Sequence, residues 1–181
     1  MIFTETRLKG SYVIEPEMQE DERGYFARTF CQEEFRARGL NPRVVQCSVS
    51  FNKHKGTLRG MHYQVAPHLE AKLVSCMRGA IFDVIIDLRP DSSTYSQWFA
   101  AELSAENYKI LYVPEGVAHG FQTLVHNTVV FYQISEFYHP ESATGVRWDD
   151  PMYGITWPLE TQAISDRDAS YPLMDVRKEQ T

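Results

Sequence analysis

Lys72-Leu73-Val74-Ser75-Cys76-Met77-Arg78-Gly79-Ala80-Ile81-Phe82-Asp83-Val84-Ile85-Ile86-Asp87-Leu88 is the stretch whose reading decides the fold. Two runs rich in apolar and β-branched residues, 72–77 and 81–88, flank the turn-forming pair Arg78-Gly79. Runs of this length and composition between turn signals read as strands. The same signature recurs at 44–51, 58–64, 98–103, 110–113, 120–125 and 129–137. Turns are expected at Lys55-Gly56, Arg89-Pro90-Asp91, Ala105-Glu106-Asn107 and Pro114-Glu115-Gly116. Many short strands joined by short turns predict a sandwich or closed barrel rather than βαβ units. Helical signals are few. One helix is expected over 32–38 with Gly39 as its stop signal, and another begins near Ser165. There, Ser165-Asp166-Arg167-Asp168 has the spacing of a capping box with Asp in place of Glu. The expected fold is all-β with a few short helices, a single domain over residues 1–181.

Bulk properties narrow the function. Hydrophobic residues at 43% and charged residues at 23% are ordinary for a globular chain, while 13% aromatics suit an all-β protein with a lined pocket. A net charge of -6 disfavours general nucleic-acid binding, which needs basic faces to displace counterions. A phosphorylated ligand remains compatible, because a few arginines can outweigh a weak global field. Cys31, Cys47 and Cys76 are odd in number and far apart, which fits neither a disulfide framework nor a zinc knuckle. The first ten residues lack the apolar run of a signal peptide, and runs such as 80–88 are too short to span a bilayer. The chain reads as soluble and cytoplasmic, with no membrane partner.

Three segments carry more reactive side chains than a β core needs. They are Gly56-Thr57-Leu58-Arg59-Gly60-Met61-His62-Tyr63-Gln64, Pro114-Glu115-Gly116-Val117-Ala118-His119-Gly120-Phe121, and Ile164-Ser165-Asp166-Arg167-Asp168. Arg and His on an apolar strand must find polar partners. Taken alone, His62 reads as a hydrogen-bonded structural histidine as readily as a base, and Asp168 as a helix cap. Arg59 and His62 have opposite strand parity, so a regular strand would send them to opposite faces; a bulge or a strand end would reconcile them.

The joint order of these motifs resembles the dTDP-4-dehydrorhamnose 3,5-epimerase family, the RmlC-like cupins, over nearly the full length. The motifs that carry the resemblance begin with Asp21-Glu22-Arg23-Gly24-Tyr25-Phe26, Leu58-Arg59-Gly60-Met61-His62-Tyr63-Gln64 and Lys72-Leu73-Val74. They continue with Phe82-Asp83-Val84, Asp87-Leu88-Arg89, Trp98, Leu103-Ser104-Ala105-Glu106-Asn107 and Val113 to Phe121. Trp148 and Ile155-Thr156-Trp157-Pro158 complete the set. The resemblance implies a jelly-roll β-barrel and a cofactor-free inversion of carbons beside the 4-keto group of a nucleotide-linked 6-deoxyhexose. It implies His62 as base, Asp168 as its carboxylate partner, Lys72 facing the enolate and Tyr132 as general acid. It places Arg23, Arg59 and Arg167 around the nucleotide, Gln46 and His119 in the pocket, and Phe26 and Tyr138 against the base. It also implies a homodimer whose N-terminal segment reaches the neighbouring site.

Departures cluster where the nucleotide should lie. Arg28 stands where the family usually has Glu, Ser48 follows Gln46 where an Asn-like residue is usual, and Ala143 replaces a pocket Glu. An acid accepts hydrogen bonds whereas Arg only donates them, so the nucleotide stays open at this point, as does the number of inverted centres. The alternatives are a single-site epimerase or ketoisomerase, a metal-dependent cupin built on His62, Glu70 and His119, and a sugar-binding module. Against the metal reading, Gln64 occupies the second position of the His-x-His pair that metal cupins present, and His68 falls on an expected loop.

Overall fold

The computed structural model describes residues 1–174. Thirteen strands and two short helices follow one another as β1 (Ile2–Glu5), β2 (Tyr12–Glu15), β3 (Met18–Asp21), β4 (Gly24–Ala27), α1 (Gln32–Arg36), β5 (Gln46–Asn52) and β6 (Leu58–Gln64). Then come β7 (Lys72–Arg78), β8 (Ala80–Asp87), β9 (Trp98–Ser104), β10 (Ile110–Val113), β11 (Val117–Thr123), β12 (Thr128–Ile134), β13 (Ala143–Gly145) and α2 (Asp166–Ala169). Six strands form one antiparallel sheet in the order β1-β2-β10-β7-β12-β5, and five form a second in the order β13-β6-β11-β8-β9. The β3–β4 hairpin stands apart. Two facing antiparallel sheets with these crossovers make the expected jelly roll. The last seven residues of the expected domain lie outside the described residues.

Parity explains why β8 reads as apolar throughout. Ile81 and Ile85 point between the sheets and join Val74, Leu111, Val130 and Phe121 in the central core. Val84 and Ile86 point the other way, under Met61, Val146 and Tyr153, where Trp157 and Met152 cover the outer face of the five-stranded sheet. A strand buried on both faces loses its polar alternation. A third cluster forms around α1, whose Phe35 packs on Ile14, Leu73 and Tyr112 and meets Phe3 edge-on at 5.5 Å between ring centroids.

The connection after β8 is closed by one carboxylate. Asp87 is fully buried and accepts from Arg89 Nε (2.8 Å) and Nη2 (2.7 Å), Ser92 Oγ (2.5 Å) and Thr94 Oγ1 (2.6 Å). Burial by itself would raise this carboxyl; the hydrogen bonds from Arg89, Ser92 and Thr94 outweigh it and hold the pKa at about 2. Because the folded value lies below the unfolded one near 3.8, the stabilisation is complete above about pH 4 and is lost as pH falls through about 2. The shift corresponds to about 2 kcal/mol. Asp87→Asn should therefore lower stability at pH 7 by about this amount and flatten the loss of stability between pH 4 and pH 2, as read by urea melts across that range.

Candidate active site

The jelly roll leaves a cavity of about 310 Å³ between its two sheets. The five-stranded sheet contributes Arg59, His62 and Gln64 from β6, His119 from β11 and Ala143 from β13. The six-stranded sheet contributes Ser48 from β5, Lys72 from β7 and Tyr132 from β12. Glu70, Tyr138 and Arg167 are among the other lining residues.

A bulge settles the parity of Arg59 and His62. His119 pairs with His62 and Phe121 with Arg59, so two steps along β11 match three along β6. The extra residue turns both side chains to the cavity. Glycines permit the crossing. A Cβ on Gly60, whose φ is +128°, would lie 2.5 Å from Gly120 Cα, and one on Gly120 would lie 2.7 Å from Arg59 O.

Asp168 reaches the cavity from the far end of the chain. Ser165 caps α2 by accepting the Asp168 N–H at 3.1 Å, which sets the helix start. The Asp168 carboxylate then accepts the Gly60 N–H (3.1 Å, Oδ2) and bonds His62 Nε2 (2.7 Å, Oδ1). Burial pushes this carboxyl up, but hydrogen bonding and charge from His62, with the Gly60 and Ser165 contacts, bring it below its ordinary value. An ionised carboxylate only accepts, so Nε2 carries the imidazole proton and Nδ1 keeps the lone pair.

A second histidine–carboxylate pair lies beside the first. His119 Nε2 is 2.7 Å from Asp83 Oδ1, with Asp83 fully buried on β8 at the inward parity of Ile81 and Ile85. Burial raises the Asp83 pKa against the opposing charges of His119 and Lys72, and its Oδ2 has no hydrogen-bond partner. Tyr132 meets the His119 ring edge-on at 6.0 Å. Its phenol pKa is raised, first by burial and then by the Asp83 charge, with Arg59 opposing.

Lys72 Nζ donates to the His62 carbonyl (3.0 Å) and pairs with Glu70 (2.9 Å) inside the protein. Two of its three donors are thus committed and one remains for a ligand. Arg59 Nε donates to Asn52 Oδ1 at 2.8 Å. Gln46 Oε1 accepts the Tyr138 N–H at 2.6 Å and so anchors that residue at the cavity edge. Arg167 Nη2 donates to Ala143 O at 3.3 Å, and hydrogen bonding to Tyr138 raises its pKa.

Arg23 and Phe26 do not line this cavity. Both sit on the β3–β4 hairpin, where Arg23 pairs with Asp21 (2.5 Å) and is 86% exposed, and Phe26 is 74% exposed. Arg28 lies with Phe26 in a separate groove, 3.6 Å from Glu34. Ser48 and Ala143, by contrast, do line the cavity. Asp83 has no expected role from the sequence, and Glu70 reads there only as a metal ligand. An Asp at the inward parity of a core strand is the signal that could have found Asp83.

The fold is the cupin-like jelly roll, with ionisable groups converging between its sheets. The sequence model of the dTDP-4-dehydrorhamnose 3,5-epimerase family matches residues 5–175, and the chain belongs to that family. It is 45% identical over 172 residues to the dTDP-4-dehydrorhamnose 3,5-epimerase of Methanothermobacter thermautotrophicus, covering 93% of this chain and 92% of the relative. A crystal structure of the Bacillus anthracis enzyme with TDP and PPi bound is similar at a TM-score of 0.91 and 40% identity, over 96% of this chain and 99% of that one. The Legionella pneumophila enzyme in complex with dTDP-4-keto-L-rhamnose is similar at 0.88 and 37%, over 95% and 92%.

Gly60→Ala tests the crossing. The new methyl meets backbone at a positive φ, and should cost about 2–4 kcal/mol of stability in denaturant melts.

Proposed function

We propose that the protein inverts C3 and C5 of a dTDP-linked 4-keto-6-deoxyglucose by proton transfer beside the ketone. The observation that carries this reading is His62 on the five-stranded sheet, paired at 2.7 Å with Asp168 of α2, across the cavity from Tyr132 on the six-stranded sheet. Inversion needs a base and an acid that approach one carbon from two sides, and the two sheets supply one each. His62 Nδ1 takes the proton, and the carbon's electron pair moves into the C–C bond as the ketone becomes an enolate. Asp168 steadies the imidazolium, as a carboxylate does in other histidine–acid pairs. The free donor of Lys72 faces the enolate oxygen, and a fixed ammonium in a partly dry cavity is worth more there than in water. Burial keeps the Tyr132 phenol protonated, and in this reading its proton goes to the opposite face of the carbon.

Arg59 and Arg167 hold the diphosphate and Tyr138 stacks on the base in this reading, with Gln46 and His119 as further contacts. The TDP held by the Bacillus relative favours thymidine.

The chain acts as a homodimer in which Arg23 and Phe26 serve the neighbouring cavity, since neither lines its own. The outer surface supports this. Val49 on β5, Met77 on β7 and Tyr25 on β4 are 66%, 63% and 48% exposed, and a cleft lined by Met18, Tyr25, Met77 and Phe131 runs beside them. Apolar exposure of that kind marks an interface.

Deuterium uptake from heavy water by dTDP-4-keto-6-deoxyglucose tests the chemistry. Label at C3 and C5 is expected; label at one carbon would make the enzyme single-site, and no label would sink the reading. His62→Asn should lose turnover by roughly 10²–10⁴-fold while keeping nucleotide affinity. Tyr132→Phe should slow product formation while some exchange persists.

Mixing two inactive variants tests the shared site. His62→Asn and Arg23→Ala, unfolded and refolded together in equal amounts, should recover about a quarter of wild-type activity, because each mixed dimer has one intact site. No recovery would refute the exchange.

A further inference from the structure

We propose that His68, His139 and Glu141 form a binding site for a divalent transition cation of the zinc type, at the rim of the cavity and apart from the reacting groups. Among the described residues this is the only group of three His, Cys, Asp or Glu side chains whose ligand atoms all fall within 4.8 Å of one another. His139 Nδ1 lies 3.1 Å from Glu141 Oε1, and His68 Nε2 lies 3.9 Å from the same oxygen. Donors 2.0–2.2 Å from a tetrahedral ion sit about 3.4 Å apart, so these two gaps straddle the required spacing.

The site is held from beneath. Gln64, a fully buried amide, donates through Nε2 to His68 O (2.9 Å) and Phe137 O (3.1 Å), and its Oε1 accepts the His139 N–H (2.7 Å). One side chain therefore fixes the two loops that carry the ligands. The imidazoles stack face to face, centroids 3.4 Å apart and planes within 6°. Stacked rings hold their in-plane lone pairs parallel, so an ion requires one ring to tilt. At 31% and 29% side-chain exposure both rings have room to do so.

The donor set selects the ion. Two imidazoles and one carboxylate suit zinc and its neighbours, whereas calcium and magnesium prefer oxygen alone. Three protein donors leave one position open to water. Binding replaces the His139–Glu141 hydrogen bond with two bonds to the ion. The ion would clip the loop after β6 to the loop before β13, which carries Tyr138.

Titration of untagged protein with Zn²⁺ at pH 7.5, by calorimetry and by competition with a chromophoric chelator, tests the site. The expected result is one equivalent bound to the wild type, with a melting temperature raised by about 2–4 °C. That equivalent should vanish in His68→Asn and in Glu141→Gln, whose zinc-free melting should match the wild type, and persist in His62→Asn. Absence of a stoichiometric equivalent in the wild type would overturn the proposal. So would binding lost in His62→Asn but kept in His68→Asn, or several weak equivalents indifferent to both loop variants.

Discussion

The close passage of Gly60 against Gly120 is the constraint on which the cavity depends. Side chains at either position would collide with the opposite backbone, so β6 and β11 can cross there only as glycines. The crossing gives β6 one residue more than its partner, and that residue lets Arg59 and His62 share a face. A bulge also takes a backbone N–H out of the strand ladder, and a buried N–H left unpaired costs about 1–3 kcal/mol. Asp168 accepts the Gly60 N–H with one oxygen and the His62 ring with the other. The same irregularity therefore aims the histidine and positions its carboxylate.

Three buried aspartates show how environment sorts one residue type. Asp87 is surrounded by an Arg and two hydroxyls and is held at about 2. Asp168 has fewer donors and drops less far. Asp83 has one imidazole, an oxygen without a partner, and a raised value. The contrast follows both the number of donors and the desolvation, which is heaviest at Asp83. Asp87 thereby serves stability. The other two each grip a histidine in the cavity, where the carboxylate fixes the ring and its tautomer.

Strand periodicity is legible in most strands of the core, though not in β2, whose Ile14 is fully buried. Expected runs 58–64 and 110–113 coincide with β6 and β10, and Gly39 ends the α1 region at a φ of +70°. β1 to β4 were not expected, because Glu5, Glu15, Glu20 and Asp21 interrupt their apolar residues and no residue of β1, β3 or β4 is fully buried. Three-residue β13 carries too little pattern to be seen. The pairing of His62 with Asp168, 106 positions apart, is not readable from spacing at all; it entered through family resemblance. The bulge was legible as a conflict of parity, though not its partner Gly120. The stacking of His68 on His139 was equally hidden, since each lies on a loop and Gln64 brings them together only in the folded chain.

The two sides of the His62–Asp168 pair belong to different layers of the fold. His62 sits on a strand clamped by neighbours on both sides, β11 and β13. Asp168 comes at the end of a long return that covers the outer face of the five-stranded sheet with Val146, Tyr153 and Trp157. That return is fastened at Thr57 and Ala163 by an isolated bridge, and then by the Ser165 cap. Loosening the outer cluster would therefore shift the carboxylate while leaving the imidazole in place. The position of Asp168 is thereby tied to packing on the far side of the sheet, and a substitution at Trp157 would reach the His62–Asp168 pair through it.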